Sequence, residues 1–243
     1  AYIPTPSHEF EFRNKVGATT ITDTYDSSVV ATPYNGLAFS TAGAEFDGVD
    51  NYLDVTSFEF GGNFTIEMYL TLNRIVHATH IFQTADYDAV SYPEYPYWND
   101  LILLAVKGNS QAKARGYWEN QGSSPAVETG DGFFQPNVWV HMVYTVSGTT
   151  HKIYKKGELV ATDTANHNKS VPIKTRDFTN FGGGNFNSDG TIDYARPMVD
   201  GTIGYARFWN GSALVASDIQ SLYVNRETSN PSIFGTVTTT ITD

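Results

Sequence analysis

The sequence predicts an all-β fold, a sandwich of antiparallel strands forming one domain, and three observations carry that reading. First, residues 137–161, NVWVHMVYTVSGTTHKIYKKGELVA, read as a hairpin with its turn over Ser147 to Thr150. Val138, Val140, Met142 and Tyr144 alternate there with Trp139, His141, Val143 and Thr145, so both faces of the first strand are largely apolar, as in a central strand. Ile153 and Tyr154 follow, then a charged turn at Lys155 to Glu158, then Leu159 and Val160, a second hairpin signal. Second, aromatic residues make up 14% of the chain, with 15 Tyr and 15 Phe, and Leu/Glu/Lys/Ala-rich stretches that would favour helix are scarce. Third, a length of 243 residues fits one sandwich, since all-β domains often run to about 200–250 residues as a unit.

Composition narrows the function. With no cysteine the chain has no disulfide, thiolate metal site or thiol nucleophile, and its stability must come from its core. The balance of 15 Lys+Arg against 26 Asp+Glu, net −11, argues against nucleic acid or an anionic membrane as partner, because either needs a basic surface. It leaves carboxylates available for calcium. No apolar run approaches the ~18–20 residues of a spanning helix, so membrane insertion is not expected. The chain opens on Ala1 without a signal-peptide pattern; both ends read as cut from a longer architecture, with neighbouring domains as expected partners.

Taken in order, residues 1–7 hold two prolines and read as extended linker. HEFEFR, His8 to Arg13, alternates with Phe10 and Phe12 on one face, which puts Glu9 and Glu11 on the other, read as solvated. Thr22 to Asn35 is polar and turn-rich. Ala44 to Val55, AEFDGVDNYLDV, gives two short strands around an Asp47-Gly48 turn. Asn63 to Leu72, NFTIEMYLTL, is a strong strand, and Ile81-Phe82-Gln83 begins another. The following stretch, Thr84 to Asp100, carries four tyrosines, a tryptophan and two prolines. Leu101 to Lys107 pairs with Lys113 to Trp118 across a turn at Gly108 to Ser110, and Glu119 to Pro136 is a Gly/Ser/Pro-rich rim loop. Phe178 to Gly184 reads as a glycine-rich strand end. Gly201 to Trp209 is a strand, after which Ser217 caps a short helix whose Ile219, Leu222 and Tyr223 lie on one side. Residues 229–243 form either an edge strand or a linker.

Several of these segments share a pattern. Trp139-x-His-x-x-x-Thr followed by Ile-Tyr-x-x-Gly-x-Leu-Val, the Phe-Asp-Gly-x-x-Asp-Tyr-Leu type of segment at Phe46 to Leu53, Phe64-Thr-Ile with Tyr69 where tryptophan usually stands, and Gly201-x-Ile-x-x-x-Arg-Phe-Trp-Asn resemble the laminin-G-like, concanavalin-A-like jelly-roll family over residues 8–225. The resemblance implies a two-sheet antiparallel jelly-roll sandwich with one or two short helices, and a core containing Ile66, Trp139, Val140, Met142, Ile203 and Phe208. It leaves function open between lectins, adhesion modules and glycoside-cleaving enzymes.

No catalytic set emerges from the residues. Glu45, Asp47 and Asp50 mimic the Glu-x-Asp-x-x-Glu motif of retaining glucanases on this fold, in which period-two spacing brings carboxylates to one face. Here Asp47-Gly48 signals a turn where the motif needs strand, and the third acid is shorter. The Gly182–Gly184 run lacks the Lys-Ser/Thr of a phosphate loop and the closing Glu of a twelve-residue calcium loop. Of the six histidines, none forms HExxH; His77 and His80 fall on opposite faces if extended, and His141 reads as a core-strand residue. Asn63, Asn168 and Asn210 open glycosylation sequons.

The expectation is a noncatalytic carbohydrate- or protein-binding module of a larger secreted, cell-surface or virion-surface protein, with a glycan or glycoprotein ligand. The alternatives are a polysaccharide hydrolase or lyase with the sheet as its cleft, and a structural capsid subunit. Ligand contact is assigned to Tyr87, Tyr92, Tyr95, Tyr97 and Trp98, because Pro93 and Pro96 stiffen the chain and leave exposed rings little freedom to lose on stacking against sugar. The competing reading buries these rings against the sandwich wall. A structural calcium ion is expected at Asp47, Asp50 and Asp200, as acidic jelly rolls often tie their first and last strands with hard oxygen ligands.

Overall fold

The computed structural model of the chain describes residues 2–86, 99–119, 126–164, 170–183, 197–228 and 233–235. The strands are β1 (His8–Glu11), β2 (Ile21–Thr22), β3 (Val30–Tyr34), β4 (Ala38–Phe39), β5 (Ala44–Asp47), β6 (Tyr52–Val55), β7 (Glu59–Phe60), β8 (Phe64–Leu72) and β9 (His80–Asp86). They continue with β10 (Asn99–Lys107), β11 (Lys113–Glu119), β12 (Ala126–Glu128), β13 (Val140–Ser147), β14 (Thr150–Lys155), β15 (Glu158–Asp163), β16 (Lys174–Thr175), β17 (Phe178–Phe181) and β18 (Asp200–Asn210). One helix, α1 (Ala216–Val224), follows. The first large sheet runs β15-β14-β13-β8-β18-β5-β4, with β1 beside β18; the second runs β12-β11-β10-β9-β17-β6-β3-β2. All strand pairs in both sheets are antiparallel.

Period-two alternation builds the core. In β8, Phe64, Ile66, Met68, Leu70 and Leu72 are all buried between the sheets, while Thr65, Glu67, Tyr69 and Thr71 take the outer face. Phe208 sits among Phe10, Phe58, Phe60, Phe82 and Phe181, with ring centroids 5.0–6.3 Å away. Rings at such spacings add edge and offset contacts to their burial. The hairpins of β13, β14 and β15 stand where the sequence puts them.

Four expectations are corrected. Glu9 is not solvated: it is 1% exposed and accepts the Arg207 Nε hydrogen at 2.6 Å, because β1 lies against β18 and its outer face is covered. Trp139 and its neighbour Tyr69 are half-buried on the outer face of the first sheet and do not enter the core. Residues 119–136 include a strand, β12, that extends the second sheet beyond β11. Ser217 does not cap α1; the cap position is Val215, without a side-chain bond, so the helix is held by burial of Ile219 and Leu222 against Trp209, Val143 and Ile3. The two short strands expected around the Asp47-Gly48 turn are present, β5 in the first sheet and β6 in the second.

The helix and residues 233–235 cover part of the first sheet's outer face. Beneath them lies a buried ionic network. Glu67 accepts hydrogen bonds from Tyr205 Oη at 2.9 Å and Arg207 Nη1 at 3.2 Å, and lies 2.9 Å from His141 Nε2. Burial alone would raise the Glu67 carboxyl, but the Arg207 charge and the His141 hydrogen bond outweigh it and hold the group below the usual glutamate range. His141 is thus a buried strand residue, 2.9 Å from the Glu67 carboxylate.

Candidate functional site

On the outer side of the second sheet, Asn180 carries buried polar atoms that find no partner among the described residues. Leu53, Val55, Phe82, Leu104 and Phe181 enter the core, so their strand neighbours point outward. Register then aligns Thr32, Asp54, Asn180, Gln83, Leu103 and Tyr117 in one row across β3, β6, β17, β9, β10 and β11. The row divides in two. Towards β11 it is apolar, with Ala85, Leu101, Leu103, Ala105 and Tyr117 forming a buried cluster. Towards β3 it is polar and partly open.

Asn180 is the central residue of the polar half. It is fully buried, and among the described residues neither its amide oxygen nor its amide nitrogen has a partner. Leaving a buried polar group unpaired costs about 1–3 kcal/mol, and such groups call for an explanation by ligand or water. Chain geometry holds the amide in place: β17 ends at Phe181, the next residue, Gly182, turns the backbone with a φ of +74°, and a Cβ on Gly183 would stand 2.9 Å from Asn180 Nδ2. Gln83, opposite Asn180 on β9, is 2% exposed, and its Oε1 accepts from His80 Nδ1 at 2.9 Å. Asp54, opposite Asn180 on β6, is half-buried; burial pushes its carboxyl above the ordinary aspartate value, partly offset by the Val55 backbone hydrogen bond.

One residue pair along the same face, Tyr34 and Tyr52 are register partners whose rings stack at 4.9 Å and 5°. Tyr34 is 42% exposed, so the pair offers an aromatic surface beside a carboxylate and a primary amide. Aromatic rings take the C–H face of a sugar, while carboxylate and amide groups take its hydroxyls.

Sequence reasoning missed Tyr34, Tyr52, Asp54, Gln83 and Asn180. The signal was local alternation: Tyr52 and Asp54 flank Leu53 in YLDV, as Phe178 and Asn180 flank Thr179 in FTNF. The residues assigned to ligand contact, Tyr87, Tyr92, Tyr95, Tyr97 and Trp98, lie outside the described residues. The strand ends on either side of that stretch of sequence are described: Asp86 and Asn99 are register partners on β9 and β10. Buried Arg176 clamps the exit by donating to the Asp100 carbonyl at 2.7 Å and to its Oδ1 at 3.0 Å, and Trp118 Nε1 donates to the same Oδ1 at 2.9 Å. Lys174 pairs with both Asp86 and Asp100.

The residues expected to hold calcium lie on the opposite sheet. Asp47 and Asp200 are register partners at the ends of β5 and β18, in a groove of about 520 Å³ lined also by Glu45, Asn51, Asn73 and Thr202. Asp200 Oδ1 accepts from Asn73 Nδ2 at 2.9 Å, and its Oδ2 faces Arg74 Nε at 3.6 Å. Asp47 Oδ1 accepts the Val49 N–H, and Asp50 offers its backbone carbonyl to Asn35. Among the described residues no three His, Cys, Asp or Glu side chains are placed to hold a metal ion. Arg74 and Asn73 thus already stand at the two carboxylate oxygens of Asp200. Glu45 is exposed in this groove, and the strand turns away after Asp47, so Glu45, Asp47 and Asp50 do not line one strand face.

No curated protein sequence matches the chain. Among solved structures, the fold is similar to domain 4 of AbnA, a GH43 extracellular arabinanase from Geobacillus stearothermophilus in complex with arabinotriose, with a TM-score of 0.62 and 14% identity over 90% of this chain and 98% of that one. It is similar to the CBM40 of the Ruminococcus gnavus IT-sialidase bound to alpha2,3 sialyllactose, with a TM-score of 0.56 and 13% identity over 74% of this chain and 95% of that one. Trypanosoma rangeli sialidase matches with a TM-score of 0.62 and 15% identity over 94% of this chain. The chain spans 33% of that sialidase. At such identities these likenesses speak to the fold. A sequence-family model of concanavalin A-like lectins and glucanases, of the laminin-G type, matches residues 47–220, and together with the two antiparallel sheets this shows that the chain belongs to the concanavalin A-like lectin/glucanase superfamily.

Proposed function

We propose that this chain is a noncatalytic carbohydrate-binding module that takes a sugar on the outer face of its second sheet, against Tyr34 and Tyr52 and within reach of Asp54 and Asn180. The observation that carries the reading is Asn180: a fully buried amide with no partner for either atom among the described residues, flanked in register by Asp54 and Gln83 and close to an exposed tyrosine stack. Sugar hydroxyls both donate and accept, which suits a row containing a carboxylate and two amides. The polysaccharide-cleaving alternative has less support, because the carboxylates of the described outer face do not form a pair flanking a cleft.

The arabinotriose and sialyllactose complexes of the similar modules make glycans the first ligands to test. A secreted or surface-exposed parent protein goes with this reading. The helix α1 is too short to cross a membrane, and no helix among the described residues is long and apolar enough to do so. The test is a glycan array followed by titration calorimetry of Tyr52→Ala and Asp54→Asn. Each is expected to weaken binding by about 1 kcal/mol or more, roughly fivefold to tenfold, with the melting temperature nearly unchanged. Unchanged affinity in both variants would place the ligand elsewhere.

A further inference from the structure

The first sheet has its own open surface, on the part of its outer face that α1 leaves uncovered. There Trp139 lies against Tyr69, with ring centroids 4.7 Å apart and planes at 29°, and Tyr69 in turn neighbours Tyr205 at 5.9 Å. The ladder of rings is built by close approach. At Gly204 a Cβ would meet Trp139 Cζ3 at 3.4 Å, so the indole rests across the sheet as far as β18. Tyr69 Oη donates to Glu227 at 2.7 Å, and burial, then that bond, pushes the Tyr69 phenol up to about 12, so it remains a neutral donor. Trp139 itself is half-exposed.

Next to this platform stands a second buried, unsatisfied group. Thr71, between core residues Leu70 and Leu72, faces outward; it is 8% exposed, and its Oγ1 has no partner among the described residues. Thr71 pairs with Thr202, and Thr202 with Glu45. The row therefore runs from the tryptophan through two hydroxyls to a carboxylate, and opens into the acidic groove of about 520 Å³ that also holds Asp47, Asn73 and Asp200. That volume lies within the range of small-ligand sites.

From this juxtaposition we infer that the outer face of the first sheet is a second glycan site, separate from the proposed one, in which an uncharged sugar ring lies on Trp139 and its hydroxyls meet Thr71, Thr202 and Glu45. Acidic sugars are disfavoured there by Glu45, Asp47 and Asp200, the nearby Arg74 being already paired with Asp200. The two sites lie on opposite sheets, so one module can bridge two chains or two branches of a glycan and gain avidity without new contacts.

The inference is tested on the full chain carrying Tyr52→Ala and Asp54→Asn, which disables the other face, with arabinotriose, lactose and alpha2,3 sialyllactose as probes. Calorimetry and tryptophan fluorescence should both report saturable binding of arabinotriose or lactose, and weaker binding of sialyllactose than of lactose. Adding Trp139→Ala should weaken binding at least tenfold, and adding Thr71→Val several-fold. Should Trp139→Ala fail to fold, Trp139→Phe combined with Thr71→Val takes its place with the same expected loss. The inference is overturned if neither neutral probe binds the background variant, or if the Trp139 and Thr71 substitutions leave affinity unchanged. Loss of binding in Tyr52→Ala with Asp54→Asn alone speaks to the other site, so the two readings fail separately.

Discussion

Replacing Arg207 by Met tests how the first sheet is held under its helix. The substitution keeps an aliphatic stem of similar length and removes the guanidinium, which is fully buried. That group bonds Glu9 at 2.6 Å and Glu67 at 3.2 Å and lies 4.2 Å over the Tyr205 ring. Without it two buried carboxylates face each other, with His141 beside only one of them. Removing one partner of a buried ion pair typically costs about 3–5 kcal/mol, because the remaining charge is left uncompensated. For a domain of this length each kcal/mol lowers the melting temperature by about 2–4 °C, so a fall of about 6–20 °C is expected. Urea and thermal denaturation at pH 7 measure it. The double variant Arg207→Met/Glu9→Gln should recover part of the loss, since one orphaned charge is gone. A loss below about 1 kcal/mol, the worth of an exposed surface pair, would refute the account of this network as buried and mutually dependent.

Further outcomes follow from other parts of the molecule. Because the folded Glu67 carboxyl lies below its ordinary value of 4.5, its contribution to stability is complete above that pH and is lost as the pH falls through the lower folded value; denaturation midpoints measured from pH 7 down to pH 3 should decline there, and Glu67→Gln should flatten the decline. Gly116→Ala should cost about 1–3 kcal/mol, since its Cβ would stand 2.5 Å from the ring of buried Tyr144, and urea unfolding measures it. With Arg74 beside Asp200, chelator should leave the melting temperature of the native chain unchanged; a clear drop in a calorimetric scan would mean that calcium displaces Arg74. Tyr95→Ala with Trp98→Ala should weaken glycan binding by roughly tenfold without lowering stability if the aromatic loop contacts ligand; a loss of several kcal/mol of stability at unchanged affinity would mean that those rings are buried.

Strands were legible where alternation is strong and local. The hairpins of β13 to β15, the long strands β8 and β18 and the pair of β10 and β11 announce themselves in ten residues or fewer, since a period of two is a local property. What covers an outward face is not local. HEFE shows that Glu9 opposes Phe10, but only the pairing of β1 with β18, which brings Arg207 to Glu9, and the bond from Thr24 show that Glu9 is buried. Trp139 sits in a run apolar on both faces, and its half-exposure depends on where α1 ends. The proposed site was hidden for the same reason. Asp54 and Asn180 lie 126 positions apart, each a single polar residue in an otherwise ordinary strand, and they meet through the crossover that sets β17 between β6 and β9. Proline-stiffened tyrosines, by contrast, are conspicuous in sequence whether they serve a ligand or the sandwich wall.

The central claim, that a sugar binds over the unpartnered amide of Asn180, is tested most directly by nuclear magnetic resonance of the nitrogen-15-labelled chain titrated with the tightest ligand found on a glycan array. On saturation the Asn180 side-chain amide resonances should move, as should the backbone signals of Tyr52, Asp54 and Gln83, and in Asn180→Leu, which removes the unsatisfied group, those backbone signals should no longer move while stability holds or rises. Saturation by ligand with the Asn180 amide signals unmoved, and unchanged ligand-induced shifts at Tyr52, Asp54 and Gln83 in Asn180→Leu, would contradict this reading.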